Sequence, residues 1–226
     1  MADSRAGRTP PGPPDHHPNN AGWKRPRPIG GDAPFQAPAD GLAEQTLSSE
    51  QAYRGRFLEV RLDVARLPDG STSTREYVVH PGAAAMVPIA DDQRILVERQ
   101  YRYGMNEVYV EIPAGKIDAG ESSIVTARRE LLEETGYVAR EWAFLTQIHP
   151  AIGFSDERLD IYLARGLALK SRSLDVEEFL EIEWVTLGWL VDAVRAGRLP
   201  DVKTQIAVHW LERFHSGAWD WPAFDL

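Results

Sequence analysis

The sequence contains no cysteine, so neither disulfide bonds nor thiol chemistry can contribute to its fold or activity. It has no run of about eighteen apolar residues, the length that a membrane-spanning helix needs, and its N-terminus lacks the apolar stretch of a secretory signal. Positive charge is also scarce: 25 lysines and arginines stand against 34 acidic residues, giving a formal net charge of −9. This charge gives no electrostatic basis for binding nucleic acid or an anionic membrane. We therefore expect a soluble, cytoplasmic protein that needs local cations to bind any phosphate.

The composition, 43% hydrophobic and 26% charged over 226 residues, is that of one globular domain with additions. Residues 1–46 contain nine of the 16 prolines and few large apolar residues. Such a segment cannot bury enough apolar surface to offset the entropy lost on ordering. We therefore predict a disordered proline-rich tail over residues 1–46, an N-terminal β-hairpin over residues 47–80 and a second domain over residues 81–226.

The predicted hairpin has apolar residues interleaved with polar ones in FLEVRLDVARLPDGSTSTREYVVH, with a turn at Pro68, Asp69 and Gly70. Beyond it, short apolar runs predict strands near residues 85–89, 94–100 and 108–112, and two more in WAFLTQIHP and RLDIYLARGL. The C-terminal part has apolar residues at helical spacing in LGWLVDAVRAGRLP and DVKTQIAVHWLERF. Helices that flank a mixed sheet indicate an α/β fold.

The most informative stretch is GKIDAGESSIVTARRELLEETGYV, in which a glycine-containing loop opens a helix rich in acidic residues. Ser122 or Ser123 is the expected N-cap, and Gly136 is expected to end the helix after about three to four turns. The predicted buried stripe of this helix consists of Ile124, Ala127 and Leu131.

Two acidic residues of this helix, Glu130 and Glu134, stand one turn apart beside the buried stripe. Carboxylates that approach a dry interior are costly unless a positive charge joins them. A hard divalent cation would do so, and magnesium accepts one or two carboxylates together with water and phosphate oxygens. Gly115 and Gly120 permit close backbone approach and leave a peptide group such as the Ala114 carbonyl free to face the ion. The predicted metal ligands are therefore Glu130, Glu134 and the Ala114 carbonyl, with Mg²⁺ as the metal and Mn²⁺ as the alternative.

The order of residues in this stretch resembles the Nudix box of nucleoside diphosphate hydrolases. The matching positions, which occupy residues 115–137, are Gly115, Glu121, Arg129, Glu130, Leu131, Glu133, Glu134 and Gly136. Tyr137 departs from the aliphatic residue that is usual there. A pattern with this many fixed positions is highly specific. The resemblance implies a Nudix α/β/α sandwich with a mixed sheet.

The flanking sequences REYVVHPGAAAMVPI, VERQYR and EIPAGKIDAGE look like those of the ADP-ribose pyrophosphatase branch of the family. The resemblance implies metal-dependent hydrolysis of ADP-ribose to AMP and ribose 5-phosphate. It further implies a homodimer in which the N-terminal sheets exchange and each subunit completes its partner's active site. Within this branch, Arg102 is expected to bind the substrate pyrophosphate, and Arg75 to reach it from the partner's hairpin.

The resemblance also assigns roles to several carboxylates. Glu133 is expected to assist the metal or the attacking water, while Arg129 pairs with the acidic residues of the box. A loop carboxylate, Glu157 or Glu177, is expected to take the proton from that water. Pro150 stands where the branch has a proline associated with ADP-ribose specificity, although the chain reads HPAIG there and the usual form is nearer Ser-Pro-Gly.

Two alternatives remain open at this point. The first is the same chemistry on another nucleotide sugar, because the residues for the pyrophosphate are recognisable and those for the sugar are not. The second is a different class of protein, a module that binds ADP-ribose or a related nucleotide without cleaving it. The complete set of box carboxylates argues against the second, since a sensor can dispense with metal ligands.

Overall fold

The structure is a computed structural model that describes residues 40–171 and 179–225. The chain divides into two compact units, of which the first ends at Tyr77 and the second begins at Val78. Within the described residues, no helix is both long enough and apolar enough to cross a membrane. The stretch that we predict to be disordered falls almost wholly on residues 1–39, which lie outside the described part of the chain.

The first unit contains a three-stranded sheet with the order β1-β2-β3. Its strands are β1 (Gln45–Arg54), β2 (Glu59–Arg66) and β3 (Thr72–Val79), and a short 3-10 helix (Asp40–Leu42) precedes them. The predicted hairpin of β2 and β3 is confirmed. Its turn is closed by a bond from the Leu67 N–H to the Ser71 carbonyl at 2.8 Å, and Asp69 accepts the Ser71 N–H at 2.9 Å.

Strand β1 was not predicted from the sequence. It pairs antiparallel with β2, and all ten of its residues are exposed within the single chain. Because neither face of β1 is buried, its residues, QTLSSEQAYR, carry no sustained alternation of apolar and polar side chains.

In its described residues, the second unit contains two sheets, seven strands and three helices. One sheet has the order β10-β5-β6, and the other has the order β7-β4-β9-β8. The strands are β4 (Ala83–Pro88), β5 (Ile95–Arg102), β6 (Glu107–Glu111), β7 (Ala114–Lys116), β8 (Tyr137–Ile148), β9 (Leu159–Leu169) and β10 (Leu180–Val185). The helices are α1 (Ser123–Thr135), α2 (Leu187–Arg195) and α3 (Val202–His215).

The second sheet is mixed, because β4 is parallel to β9 whereas its other pairings are antiparallel. Strand β4 is buried along its whole length, and its side chains alternate between two hydrophobic cores. Ala84 and Met86 pack in the core that contains Leu131 of α1. Ala85 and Val87 pack in the core formed with α2 and α3. The sheet therefore lies between α1 and the pair α2 and α3, which confirms the predicted mixed α/β sandwich.

Leu131 is the side chain of α1 whose loss should cost most, because it is fully buried against β4 and Tyr162. We predict that Leu131→Ala lowers the free energy of unfolding by about 2–5 kcal/mol, measured by chemical denaturation. Val125→Ala on the same helix is the control, since Val125 is 49% exposed, and its cost should stay below about 1 kcal/mol. Equal losses in the two variants would contradict the assigned packing of α1.

Candidate active site

Helix α1 has the bounds that the sequence predicts. Its N-cap is Ser122, in an extended conformation with φ −89° and ψ 155°, and Gly136 follows its last residue with φ +77°. This left-handed conformation is readily adopted by glycine, and the Gly136 N–H donates to the Leu132 carbonyl. The helix therefore stops where the chain must turn into β8.

The two predicted metal-binding carboxylates lie at the inner edge of α1. Glu134 is 2% exposed and belongs to the buried residues of the helix together with Ala127 and Leu131. The Glu130 side chain is 13% exposed. Carboxylates this deeply placed require compensating positive charge.

Gly115 allows the loop to pass directly against Glu130. A methyl group at this position would lie 1.9 Å from both Cδ and Oε1 of Glu130, so any side chain larger than hydrogen would displace the carboxylate. Ala114 and Gly115 pair with Ala85 and Ala84 of β4. The buried strand thus fixes the backbone of β7 beside Glu130.

Arg129 holds the acidic residues around the loop together, as the sequence predicts. Its guanidinium donates to Oε1 and Oε2 of Glu121 at 3.2 and 3.1 Å, to Oε1 of Glu130 at 2.8 Å, to Oε2 of Glu133 at 2.9 Å and to the Lys116 carbonyl at 3.2 Å. Burial alone would lower the pKa of Arg129, but these hydrogen bonds and the charge of Glu130 raise it above its ordinary value. Hydrogen bonds from Arg129 and Thr126 in turn lower the pKa of Glu121.

The charge of this cluster fits a divalent cation. One guanidinium faces Glu121, Glu130 and Glu133, and buried Glu134 lies one turn from Glu130 on the same helix. Among the described residues, no three His, Cys, Asp or Glu side chains converge as a metal site. A metal would therefore take Glu130, Glu134 and a backbone carbonyl such as that of Ala114, with water and substrate oxygens as the remaining ligands. Magnesium characteristically accepts this set of donors.

A second group of functional candidates lines a cavity of about 430 Å³ in the second unit. The cavity brings together three residues that are far apart in the sequence and that we predicted as substrate or catalytic residues: Arg102, Pro150 and Glu157. Glu111 and Lys203 also line it. The structure therefore places the end of β5, the loop after β8 and the start of α3 around one opening.

Arg102 is engaged by an acidic residue of the neighbouring strand. Its Nε and Nη2 donate to Oε1 and Oε2 of Glu111, both at 2.7 Å, and Lys203 Nζ donates to the same Oε2. Burial would raise the pKa of Glu111, but the hydrogen bonds and charges of Arg102 and Lys203 outweigh it and hold that pKa below its usual value. Glu111 is thus ionised and shared by two cations.

The backbone of Glu157 is fixed from two sides. Ser155 Oγ accepts the Glu157 N–H at 3.1 Å, and His149 Nδ1 lies 2.9 Å from the Glu157 carbonyl oxygen. Glu157 and Asp156 also act on His80, because their charges oppose the lowering of the His80 pKa that burial causes. The loop after β8 therefore presents Glu157 to the cavity from an anchored backbone.

The other two predicted site residues are Arg75 and Glu177. Arg75 belongs to the first unit, where its Nε and Nη2 donate to the Glu44 carboxylate at 2.9 and 2.5 Å. Glu177 lies in residues 172–178, outside the described part of the chain.

Glu111 and Lys203 line the cavity but were not predicted as functional residues from the sequence. The sequence did indicate that Lys203 is buried, because it lies four residues before Ala207 and eight before Leu211, on the buried stripe of α3. A lysine on the apolar side of an amphipathic helix requires a buried acid opposite it. Which acid it meets could not be predicted, since Glu111 is 92 residues away along the chain.

Comparison with known families gives two matches that together cover most of the described chain. Residues 79–205 match the NUDIX domain, and residues 44–78 match the nucleoside diphosphate sugar hydrolase N-terminal domain. The boundary between these matches lies close to the division between the two structural units.

Two proteins of similar sequence and one solved structure support these family matches. The chain is 40% identical to the methanol dehydrogenase activator of Bacillus methanolicus, over 75% of this chain and 92% of that protein. It is 38% identical to the ADP-ribose pyrophosphatase of Bacillus subtilis, over 76% of this chain and 94% of that protein. A crystal structure of an ADP compounds hydrolase shares the fold, with a TM-score of 0.71 at 24% identity, covering 80% of this chain and 98% of that one. The box geometry on α1, the mixed α/β sandwich and these matches together show that the chain belongs to the Nudix family and is a Nudix hydrolase.

Proposed function

We propose that this Nudix hydrolase cleaves the pyrophosphate bond of ADP-ribose, giving AMP and ribose 5-phosphate. The observation that carries the proposal is the group of box carboxylates that Arg129 holds against the Gly115 loop. A protein that only bound the nucleotide would not need this complete set of box carboxylates. The choice of ADP-ribose is supported by the relative of Bacillus subtilis that is named for this activity.

In this proposal Glu130, Glu134 and the Ala114 carbonyl hold Mg²⁺, with Mn²⁺ as the alternative. A bound divalent cation supplies charge that polarises the phosphoryl group and stabilises the leaving oxygen. The chain itself supplies the position of the ligands: β4 fixes Ala114, α1 fixes the two carboxylates, and Arg129 keeps Glu130 oriented.

Arg102 and Arg75 bind the phosphate oxygens in this proposal. A guanidinium offers a planar pair of donors that matches phosphate, and such pairs are stronger than neutral hydrogen bonds. Arg102 is suitably placed because it lines the cavity while its side chain remains 42% exposed. Arg75 would act on the partner subunit's substrate.

A carboxylate takes the proton from the attacking water. Glu157 is the candidate supported by position, because it lines the cavity with Arg102 and has a fixed backbone. Glu177 is the other candidate for this role, and Glu133 assists from α1. The oxygen of water forms the new bond to phosphorus as the bond to the bridging oxygen breaks, so that both products carry a phosphate.

Another nucleoside diphosphate sugar is the second candidate substrate. It is favoured by the match of residues 44–78 to an N-terminal domain described for nucleoside diphosphate sugar hydrolases. The two substrates share the pyrophosphate and differ in the groups attached to it, so they are distinguished by a substrate panel.

We predict that the purified protein releases AMP from ADP-ribose in the presence of Mg²⁺ and that a chelator abolishes the reaction. The measurement is chromatography of the products from ADP-ribose, other nucleotide sugars, dinucleotides and nucleoside triphosphates. Fastest turnover of a different nucleotide sugar would select the second candidate. If every compound survives while ADP-ribose still raises the melting temperature, the protein is a sensor and the catalytic proposal is wrong.

The role of Glu134 can be tested by Glu134→Gln, which keeps the volume and removes the charge. We predict a loss of kcat of at least about 100-fold, equivalent to about 2.7 kcal/mol of transition-state stabilisation. Glu212→Gln on the exposed side of α3 is the matched control and should retain activity. Circular dichroism should show both variants folded. Turnover by Glu134→Gln close to that of the unmodified protein would remove Glu134 from the mechanism.

We also propose that the protein is a homodimer formed through its N-terminal sheet. The support is β1, a ten-residue edge strand that is exposed throughout in the single chain, a type of edge that natural proteins usually cover. Light scattering should then give twice the single-chain mass of 25.3 kDa, independent of dilution in the micromolar range. A mass equal to that of one chain would contradict the dimer.

A further inference from the structure

The wall of the cavity contains four charged side chains in direct contact. Arg102 of β5 binds Glu111 of β6 through two bonds of 2.7 Å. Lys203 of α3 binds the same carboxylate and also lies 3.2 Å from Oδ2 of Asp201. Two cations and two anions are therefore joined in one cluster. The hydrogen bonds to Glu111 raise the pKa of Arg102, and the charge of buried Glu98 on β5 also raises it.

Lys203 and Arg102, the two cations that share Glu111, differ in their exposure and therefore in how freely their side chains can move. Lys203 is 6% exposed and is held between two acids, Glu111 and Asp201. The Arg102 side chain is 42% exposed and borders the cavity. When a phosphate enters the cavity, Arg102 is the cation that can turn towards it.

Turning Arg102 away would be costly if Glu111 then stood alone. Glu111 is 3% exposed, and leaving a buried carboxylate without a counter-ion is strongly unfavourable. Because Lys203 remains bonded to Oε2, Glu111 keeps a counter-ion after Arg102 leaves. Lys203 thereby reduces the cost of releasing Arg102.

We propose that Lys203 is a positioning residue for substrate binding, which neutralises Glu111 so that Arg102 can exchange that carboxylate for the substrate pyrophosphate. This inference rests on the proposed function, in which Arg102 is the residue that binds the pyrophosphate. Lys203 itself acts through Glu111.

The position of the N-terminus of α3 is fixed by bonds that do not involve Lys203. The inference can therefore be tested by substituting Lys203. Asp201 accepts the N–H and the hydroxyl of Thr204 at 2.9 and 2.6 Å and so caps the helix. Thr204 Oγ1 accepts the Ile112 N–H at 2.9 Å and ties α3 to the end of β6. These bonds should keep α3 in place when Lys203 is replaced.

The test is steady-state kinetics with ADP-ribose. We expect Lys203→Met to raise KM about tenfold while kcat changes less than about threefold, because binding shared by the ground state and the transition state affects KM alone. Adding Glu111→Gln to Lys203→Met should bring KM back towards the original value, because a neutral amide at this position no longer holds Arg102. Lys203→Arg should also retain KM. Lys170→Met, on an exposed lysine, is the matched control.

The variant Arg102→Gln distinguishes a failure of the proposed function from a failure of the inference about Lys203. If it leaves KM unchanged, the assignment of Arg102 in the proposed function is wrong. If it raises KM while Lys203→Met behaves like Lys170→Met, only the inference about Lys203 is overturned. The inference is also overturned if Lys203→Met impairs kcat and KM together and Glu111→Gln does not restore KM.

Lys203→Gln is measured beside Lys203→Met as the milder neutral variant, in case the methionine prevents folding. It should raise KM in the same direction. A KM for Lys203→Gln equal to that of the unmodified protein would overturn the inference.

Discussion

The active site depends on how one guanidinium is shared among the acidic residues of α1 and its preceding loop. Arg129 contacts Glu121, Glu130 and Glu133 at once, and it also donates to a backbone carbonyl of β7. Charge-assisted hydrogen bonds of this kind fix both the side chains and the loop that carries Gly115. Arg129 contacts three carboxylates with one positive charge, and in the proposed function a divalent ion adds to this group.

The second charged cluster, at the wall of the cavity, contains two cations that already have carboxylate partners. Arg102 and Lys203 are already bound by carboxylates, Arg102 by Glu111 and Lys203 by Glu111 and Asp201. In our proposal Arg102 exchanges its bond to Glu111 for the substrate, whereas a metal adds to the first cluster while Arg129 stays in place. In the proposed function the two clusters have different roles: the first binds the metal, and the second provides Arg102 for the substrate phosphates.

Structural features that depend on the local spacing of residues could be predicted from the sequence. The bounds of α1 and the position of Glu134 at the edge of the core follow from helical periodicity. The pairing of Arg129 with the box carboxylates was expected from the family resemblance. The hairpin of β2 and β3 was likewise predictable from its turn residues. Strand β1 was not, because an exposed strand lacks the alternation that identifies a strand from its sequence. The partner of Lys203 was not predictable either, since Glu111 meets it only through the packing of α3 against the end of β6.

With the proposed roles, these two clusters also explain how a chain with a net charge of −9 can act on phosphates. A cation exposed on such a surface would be screened by salt and surrounded by competing carboxylates. Lys203 is instead shielded from water, and both of its carboxylate partners, Glu111 and Asp201, are fixed. In our proposal Lys203 therefore keeps Glu111 neutralised, and the more exposed Arg102 contacts the phosphate. The overall acidity then limits non-specific binding of anions while the local arrangement admits the one that matches its geometry.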